Sequence, residues 1–210
     1  MAEQRRWGGN PLRWCVLLLD ALLRRASHYI ELADHPDCLF RFQVKPSPRG
    51  RVLADGTQVM PGDPIIQLHL WNEHIPPMPE EGPDLAWAQT FYRRLRKSLR
   101  LLAQHVATSP QLGEVKALYG RIFVDLGGRD PAVLMLRRLG FEFERVPDPV
   151  SMWARVERFF VTLYAGWLVW AYNPGSLKTK SIWEKDLVEV WMSRGRLLAM
   201  HGETTRRSTD

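Results

Sequence analysis

Cysteine is nearly absent from this chain of 210 residues, which has only Cys15 and Cys38. Neither lies in metal-ligand spacing and no histidine pair accompanies them, so a zinc site and a disulfide framework are both excluded. A reducing, cytoplasmic setting fits best. Long apolar runs are also lacking. The most apolar stretch, Phe159 to Tyr172, has 14 residues, short of the roughly 20 needed to span a bilayer. The run Trp14 to Leu19 is shorter still and is followed by Asp20, Arg24 and Arg25, which excludes a secretory signal. There is no repeat, and the only low-complexity tract is the polar tail from His201 to Asp210. No helix-turn-helix, zinc-finger or RNA-recognition signature occurs, so nucleic acid is not an expected partner. Local signatures of serine or cysteine nucleophiles are missing too.

Acidic residues are in deficit. Lys and Arg number 29 against 23 Asp and Glu, giving a net charge of +6 and a pI near 9.6. That balance favours anionic partners such as phosphates, acidic glycan precursors or lipid head groups. With 45% hydrophobic and 25% charged residues, the composition is that of a globular domain. The length fits one domain over 1–210, with 1–9 and 203–210 as disordered tails. Pro147 to Pro149 is the strongest break, yet too short for a flexible linker.

Periodicity supplies the elements. Asn10-Pro11 starts a helix running to about Leu32, with Leu12, Val16, Leu19, Leu23 and Ala26 at helical spacing. Cys15 sits on its apolar face and is expected in the core. Strands follow at Leu39–Lys45 and Ile65–Trp71, separated by a hairpin around Asp55-Gly56. Asp84 caps a helix to about Val106, whose buried stripe is Leu85, Ala88, Phe91, Tyr92, Leu95, Leu99 and Leu102. A strand at Val115–Leu126 precedes a short helix capped by Asp130 and ended by Gly140. Phe141–Val146 alternates as a strand, and Ser151 caps a helix to Tyr172. A last strand spans Leu187–Met192, and Ser193 caps a final helix. The order predicts an α/β (α+β) fold, a single mixed sheet flanked by helices, with parallel neighbours around 65–146.

The strands split by face. Ile66, Leu68 and Leu70 oppose Gln67, His69 and Trp71; Leu118, Gly120 and Ile122 oppose Tyr119 and Arg121; Phe40, Phe42 and Val44 oppose Arg41, Gln43 and Lys45. One face is therefore oily and the other suits a polar or anionic ligand. On it His69 is a candidate general base because its ordinary pKa is near neutrality. Arg121 can hold a carboxylate or phosphate, and Tyr119 and Gln67 can bind or donate. The alternative is that helices cover this face and His69 is structural. Asn72, Glu73 and His74 lie at a strand end, where ligand crevices open in α/β sheets. Glu73 and His74 read as an acid/base pair, or as turn chemistry with a surface ion pair. Asp130 is an N-cap, while Asp125 is left as a substrate or metal ligand; no second ligand supports metal. The apolar helix 151–172 is expected as a core helix or dimer face. The alternative is peripheral membrane contact through 155–180, with Tyr164, Trp167 and Tyr172 at the interface and Arg155, Arg158, Lys178 and Lys180 on head groups.

Two resemblances add to this. Leu134-Met135-Leu136-Arg137-Arg138-Leu139-Gly140-Phe141-Glu142 is similar to the helix-to-strand ending of the GNAT superfamily of acyl-CoA acyltransferases. It implies a GNAT-like core with extra terminal helices and acyl-CoA as cofactor. That superfamily cradles pyrophosphate on a Gly-rich turn. The matching join here, Trp71 to Asp84, has Gly82 as its only glycine, with prolines that remove N–H donors and Glu80 and Glu81 that repel anions. Asp55-Gly56-Thr57, then Pro61-Gly62-Asp63 and Leu68-His69-Leu70-Trp71-Asn72, with Glu189-Val190-Trp191-Met192-Ser193 near the end, resembles the bacterial YkoP-like family. Its domains occur alone or joined to polysaccharide deacetylases, which implies cell-envelope glycan or lipid chemistry. The combined expectation is an acyltransferase with His69 or Glu73 as base and Gln67, Trp71, Asn72, Tyr119, Arg121 and Asp125 holding substrate. The competing one is a non-catalytic binding module that has lost acyl-CoA.

Overall fold

In a computed structural model the period-two segments become strands. In chain order the elements are α1 (Pro11–Ala26), β1 (Ile30–Glu31), β2 (Phe40–Pro46), β3 (Arg51–Val52), β4 (Gln58–Val59), β5 (Pro64–Leu70), α2 (Leu85–Thr108), β6 (Ala117–Val124), α3 (Pro131–Arg138), β7 (Glu142–Arg145), α4 (Met152–Tyr172), β8 (Asp186–Ser193) and α5 (Arg194–His201). The structure describes residues 11–26, 29–32, 37–77, 79, 81, 84–126, 130–146, 151–172 and 186–202; both expected tails lie outside them. The chain divides into two units. One comprises 1–29, 77–83 and 148–183, the other 30–76, 84–147 and 184–210.

The second unit carries a six-stranded sheet in the order β1-β2-β5-β6-β8-β7, and β3-β4 forms a separate two-stranded sheet. The fold class is mixed α+β. Only β5 and β6 pair parallel, joined through α2; every other pair is antiparallel. Parallel pairing therefore does not continue to β7 as expected. β8 inserts between β6 and β7 and runs against both. The hairpin strands β3 and β4 pair with each other outside the main sheet.

The oily face closes under helices. Phe42, Ile66, Leu118, Val190 and Met192 pack with Leu95, Leu99 and Leu102 of α2 and Leu197 of α5 in one core. A smaller cluster joins Val124, Val133 and Val188. The inward stripe of α2 begins at Phe91 rather than Leu85, since Leu85 and Ala88 are exposed. The first turn is held instead by Trp87, which stacks on Phe91 at 5.1 Å and donates from its indole to the Pro76 carbonyl at 2.9 Å. Asp84 caps this helix by accepting from the Trp87 N–H at 2.7 Å. Ser98, fully buried, accepts from the Leu39 N–H and donates to the Arg94 carbonyl, each at 2.8 Å. That clamp ties the entry of β2 to α2. Gly140 ends α3 at φ 101°, and a Cβ there would lie 2.7 Å from the Met200 sulfur.

In the first unit α1 stops at Ala26, before the expected Leu32, because the chain turns extended at Ile30 to pair with Phe42. Cys15 is exposed rather than in the core. The helix instead turns Val16 and Asp20 inward, and Asp20 accepts from the hydroxyls of Tyr164 and Tyr172 at 2.9 Å each. The core assignment of α4 is overturned as well: Met152, Trp153, Val156, Phe159, Phe160, Val161 and Trp167 are exposed. The inward side of this helix pair holds the Asp20 carboxylate beside Val16 and Ala171, and several large apolar residues face out.

Candidate functional site

The polar sheet face is built by register. Arg41 stands opposite His69, Gln43 opposite Gln67, and Lys45 opposite Ile65 across β2 and β5. Gln67 is then opposite Tyr119 across β5 and β6, and Tyr119 opposite Trp191 and Arg121 opposite Glu189 across β6 and β8. Glu142 and Glu144 of β7 continue these rungs at Trp191 and Glu189. Residues two apart share a face, so all of these side chains rise on the same side of the sheet.

The β6-β8-β7 half is closed. Leu53 and Val59 of the hairpin pack on Ile65, Ala117, Tyr119 and Trp191. Beside them the nearly buried Glu189 carboxylate accepts from the Tyr119 hydroxyl at 3.0 Å, the Trp191 indole at 3.3 Å and the Arg49 guanidinium at 2.5 Å. Arg121 approaches it at 3.6 Å and donates from Nε to the Tyr119 oxygen at 2.6 Å. Arg49 also meets Glu144 at 2.8 Å, and Arg51 pairs with Glu144 and Glu142. Burial, against the partial opposition of the Arg121 charge, pushes the Tyr119 hydroxyl up to about 12. It therefore stays a donor at neutral pH, engaged with Glu189.

On the β2-β5 half, burial first, and then the charges of Lys45 and Arg41, hold His69 down at about 4. The imidazole is neutral at pH 7. It is a hydrogen-bonding group there and a weak base. The end of the strand is a stacked platform. Trp71 lies on His74 with ring centres 3.9 Å apart and an interplanar angle of 15°, and Arg41 sits over the indole at 4.2 Å. Glu73 pairs with Arg41 at 3.0 Å and accepts from the Trp71 indole at 2.7 Å. His74 bonds through Nδ1 to the Cys38 carbonyl at 2.8 Å. Glu73 is thus held in an ion pair with Arg41, and His74 bonds the backbone of Cys38. The side chain of Asn72 lies outside the described residues.

The structure therefore joins Tyr119 and Arg121 to Glu189, sets His69 and Gln67 against Arg41 and Gln43, and ties Trp71 to Glu73. Asp125 stands apart. It follows the last residue of β6, four residues past Arg121 or roughly 13 Å along an extended chain, and its N–H donates to the Asp130 carboxylate at 3.1 Å. Sequence reasoning missed Arg49, Arg51 and Glu189. A signal existed in the β8 segment, where Leu187, Glu189 and Trp191 alternate against Val188, Val190 and Met192. An acid inside an apolar strand needs a cation, and Arg49 and Arg51 flank the nearby turn. Among the described residues no group of His, Cys, Asp and Glu is arranged to hold a metal ion. The start of α2 is a poor cradle for the pyrophosphate of acyl-CoA, because the Asp84 carboxylate takes the Trp87 N–H and places a negative charge there.

Fold and face together define a mixed α+β domain with a braced polar sheet surface. The family model of the YkoP domain matches residues 10–201, and the chain belongs to that family. No curated protein and no solved structure matches it.

Proposed function

We propose that the domain binds an anionic ligand, a phosphate- or carboxylate-bearing glycan or lipid precursor of the cell envelope, on the β2-β5 half of the polar sheet face. The observation that carries this reading is the register that gathers Arg41, Gln43 and Lys45 opposite His69, Gln67 and Ile65. Four of these are hydrogen-bond donors or cations in addition to the imidazole, and Glu73 supplies one negative charge at their edge. Gln67 continues the row toward Tyr119. The weak basicity of His69 and the engaged Tyr119 hydroxyl favour binding over proton transfer.

A second reading keeps acyl transfer on a GNAT-like core, and one feature favours it. The β5-β6 ladder consists of three rungs, from Ile65 opposite Ala117 to Gln67 opposite Tyr119, although β5 runs on to Leu70 and β6 to Val124. The backbone groups of the strand ends beyond the ladder would be the ones to meet an amide-bearing chain. Calorimetric titrations with pyrophosphate and with acetyl-CoA distinguish the two. Saturable pyrophosphate binding that is lost in Lys45→Ala, with acetyl-CoA no tighter, supports the binding module. Acetyl-CoA binding tighter by tenfold or more supports the transferase. No binding of either removes the anion site.

A further inference from the structure

The α1 and α4 helices bury a carboxylate and a hydroxyl. Asp20 is only 7% exposed, held by two tyrosine hydroxyls, and the buried Thr162 hydroxyl donates to the Arg158 carbonyl at 2.8 Å. Outward on α1 lie Trp14, Leu18 and Leu22, each four residues from the next and therefore one stripe. Outward on α4 lie Trp153, Val156, Phe159, Phe160 and Trp167, with Trp153 84% exposed. A helix in water normally shows the reverse order. Five exposed aromatics contribute on the order of 500 Å² of apolar surface, as large as the biggest patch on most monomers.

Charge selects the occupant. Arg13, Arg24, Arg25, Arg155 and Arg158 stand on these helices against Asp20 and Glu157 alone, and Asp20 is already consumed inside. Arg25 and Arg155 are exposed beside the stripes. A second copy would bring arginine against arginine, whereas a phosphate-rich lipid surface complements them. Indole rings settle at the boundary between head groups and acyl chains. Among the described residues no helix is long and apolar enough to cross a membrane, so the pair would lie in the interface. We propose that α1 and α4 seat this protein on an anionic bilayer surface through Trp14, Leu18, Leu22, Trp153, Phe159 and Phe160. This surface is independent of the sheet-face site.

Flotation of the full chain with vesicles of phosphatidylglycerol and phosphatidylcholine tests it. The chain is expected to float at low salt, to be released at high salt, and to shift its tryptophan emission to the blue. Trp153→Glu with Phe159→Glu, both exposed and so tolerated by the fold, is expected to weaken partitioning by about tenfold or more at unchanged melting temperature. Three outcomes overturn the proposal. They are failure to float, equal flotation with pure phosphatidylcholine, and a dimer by light scattering that the double variant dissociates. The last would make this face a contact between copies.

Discussion

Lowering the pH tests the cationic patch most directly. An unfolded chain protonates His69 near 6.5, whereas in the fold burial, Lys45 and Arg41 delay this to about 4. The folded pKa is lowered, so the unfolded state binds the proton first as pH falls. Stability is then lost progressively from pH 6.5 down to pH 4, by up to about 3 kcal/mol, with no contribution above pH 7. His69→Gln removes that penalty, so the variant is expected to be more stable than the native chain at pH 5 and little changed at pH 7.5. A bound anion acts in the opposite direction. A unit charge about 4 Å away contributes up to about 4 kcal/mol at an effective dielectric of 20, enough to return the imidazole toward its ordinary value. Proton–carbon correlation spectra of the histidine ring, with His69→Gln for assignment, should show titration near 4 that moves upward on adding pyrophosphate. Titration near 6.5 in the free protein would refute the reasoning, because the ring would then be solvated and the two cations too remote to matter. Saturable pyrophosphate binding with an unmoved His69 titration would place the anion elsewhere.

Removing the Arg49 guanidinium by Arg49→Ala leaves Glu189 deprived of its closest cation; a loss of about 2–4 kcal/mol in urea unfolding is expected, and a loss below about 0.5 would mean that Tyr119 and Arg121 suffice. Ser98→Ala orphans the Leu39 N–H and should cost about 1–3 kcal/mol, unless water enters and the denaturation midpoint stays fixed. Gly140→Ala must place a methyl 2.7 Å from the Met200 sulfur at positive φ. A lowered melting temperature equivalent to about 1–3 kcal/mol is expected, and Met200→Ala in the same chain should recover part of it.

The elements were legible wherever one periodicity ruled. Period two located β2, β5, β6 and β8 within two residues at each end, and Asp84, Asp130 and Ser193 cap the helices they head. Strand order was not legible, because the chain carries no mark of β8 slipping between β6 and β7; that pairing is chosen by Val188, Val190 and Met192 filling the gap beside Leu118 and Phe143. Burial failed where hydropathy was the only guide. In α1 the expected stripe holds at Val16 but not at Leu19, and α4, expected as a core helix or dimer face, exposes Trp153, Phe159 and Phe160, while Tyr164 and Tyr172 reach in to Asp20. The polar side chains of the site could be read from alternation; their partners could not, since Arg49 and Glu189 are 140 positions apart.

The two halves of the polar face are unlike for a physical reason that bears on function. On the β6-β8-β7 side every charge within the network has an opposite neighbour: Glu189 with Arg49 and Arg121, Glu144 with Arg49 and Arg51, Glu142 with Arg51 and Arg196. Three carboxylates and four guanidiniums interlock there beside a hairpin, so a ligand would have to strip ion pairs and hydrogen bonds to enter. On the β2-β5 side Arg41 is shared with Glu73, while Lys45 is exposed and the neutral His69 sits beneath the field of both cations. In the proposed reading an anion arriving there offsets the Lys45 and Arg41 charges, which add to burial in suppressing His69, without breaking the Glu189 network. In the proposed reading the braced half holds β5 and β6 in place, and recognition falls to the half that carries the exposed Lys45.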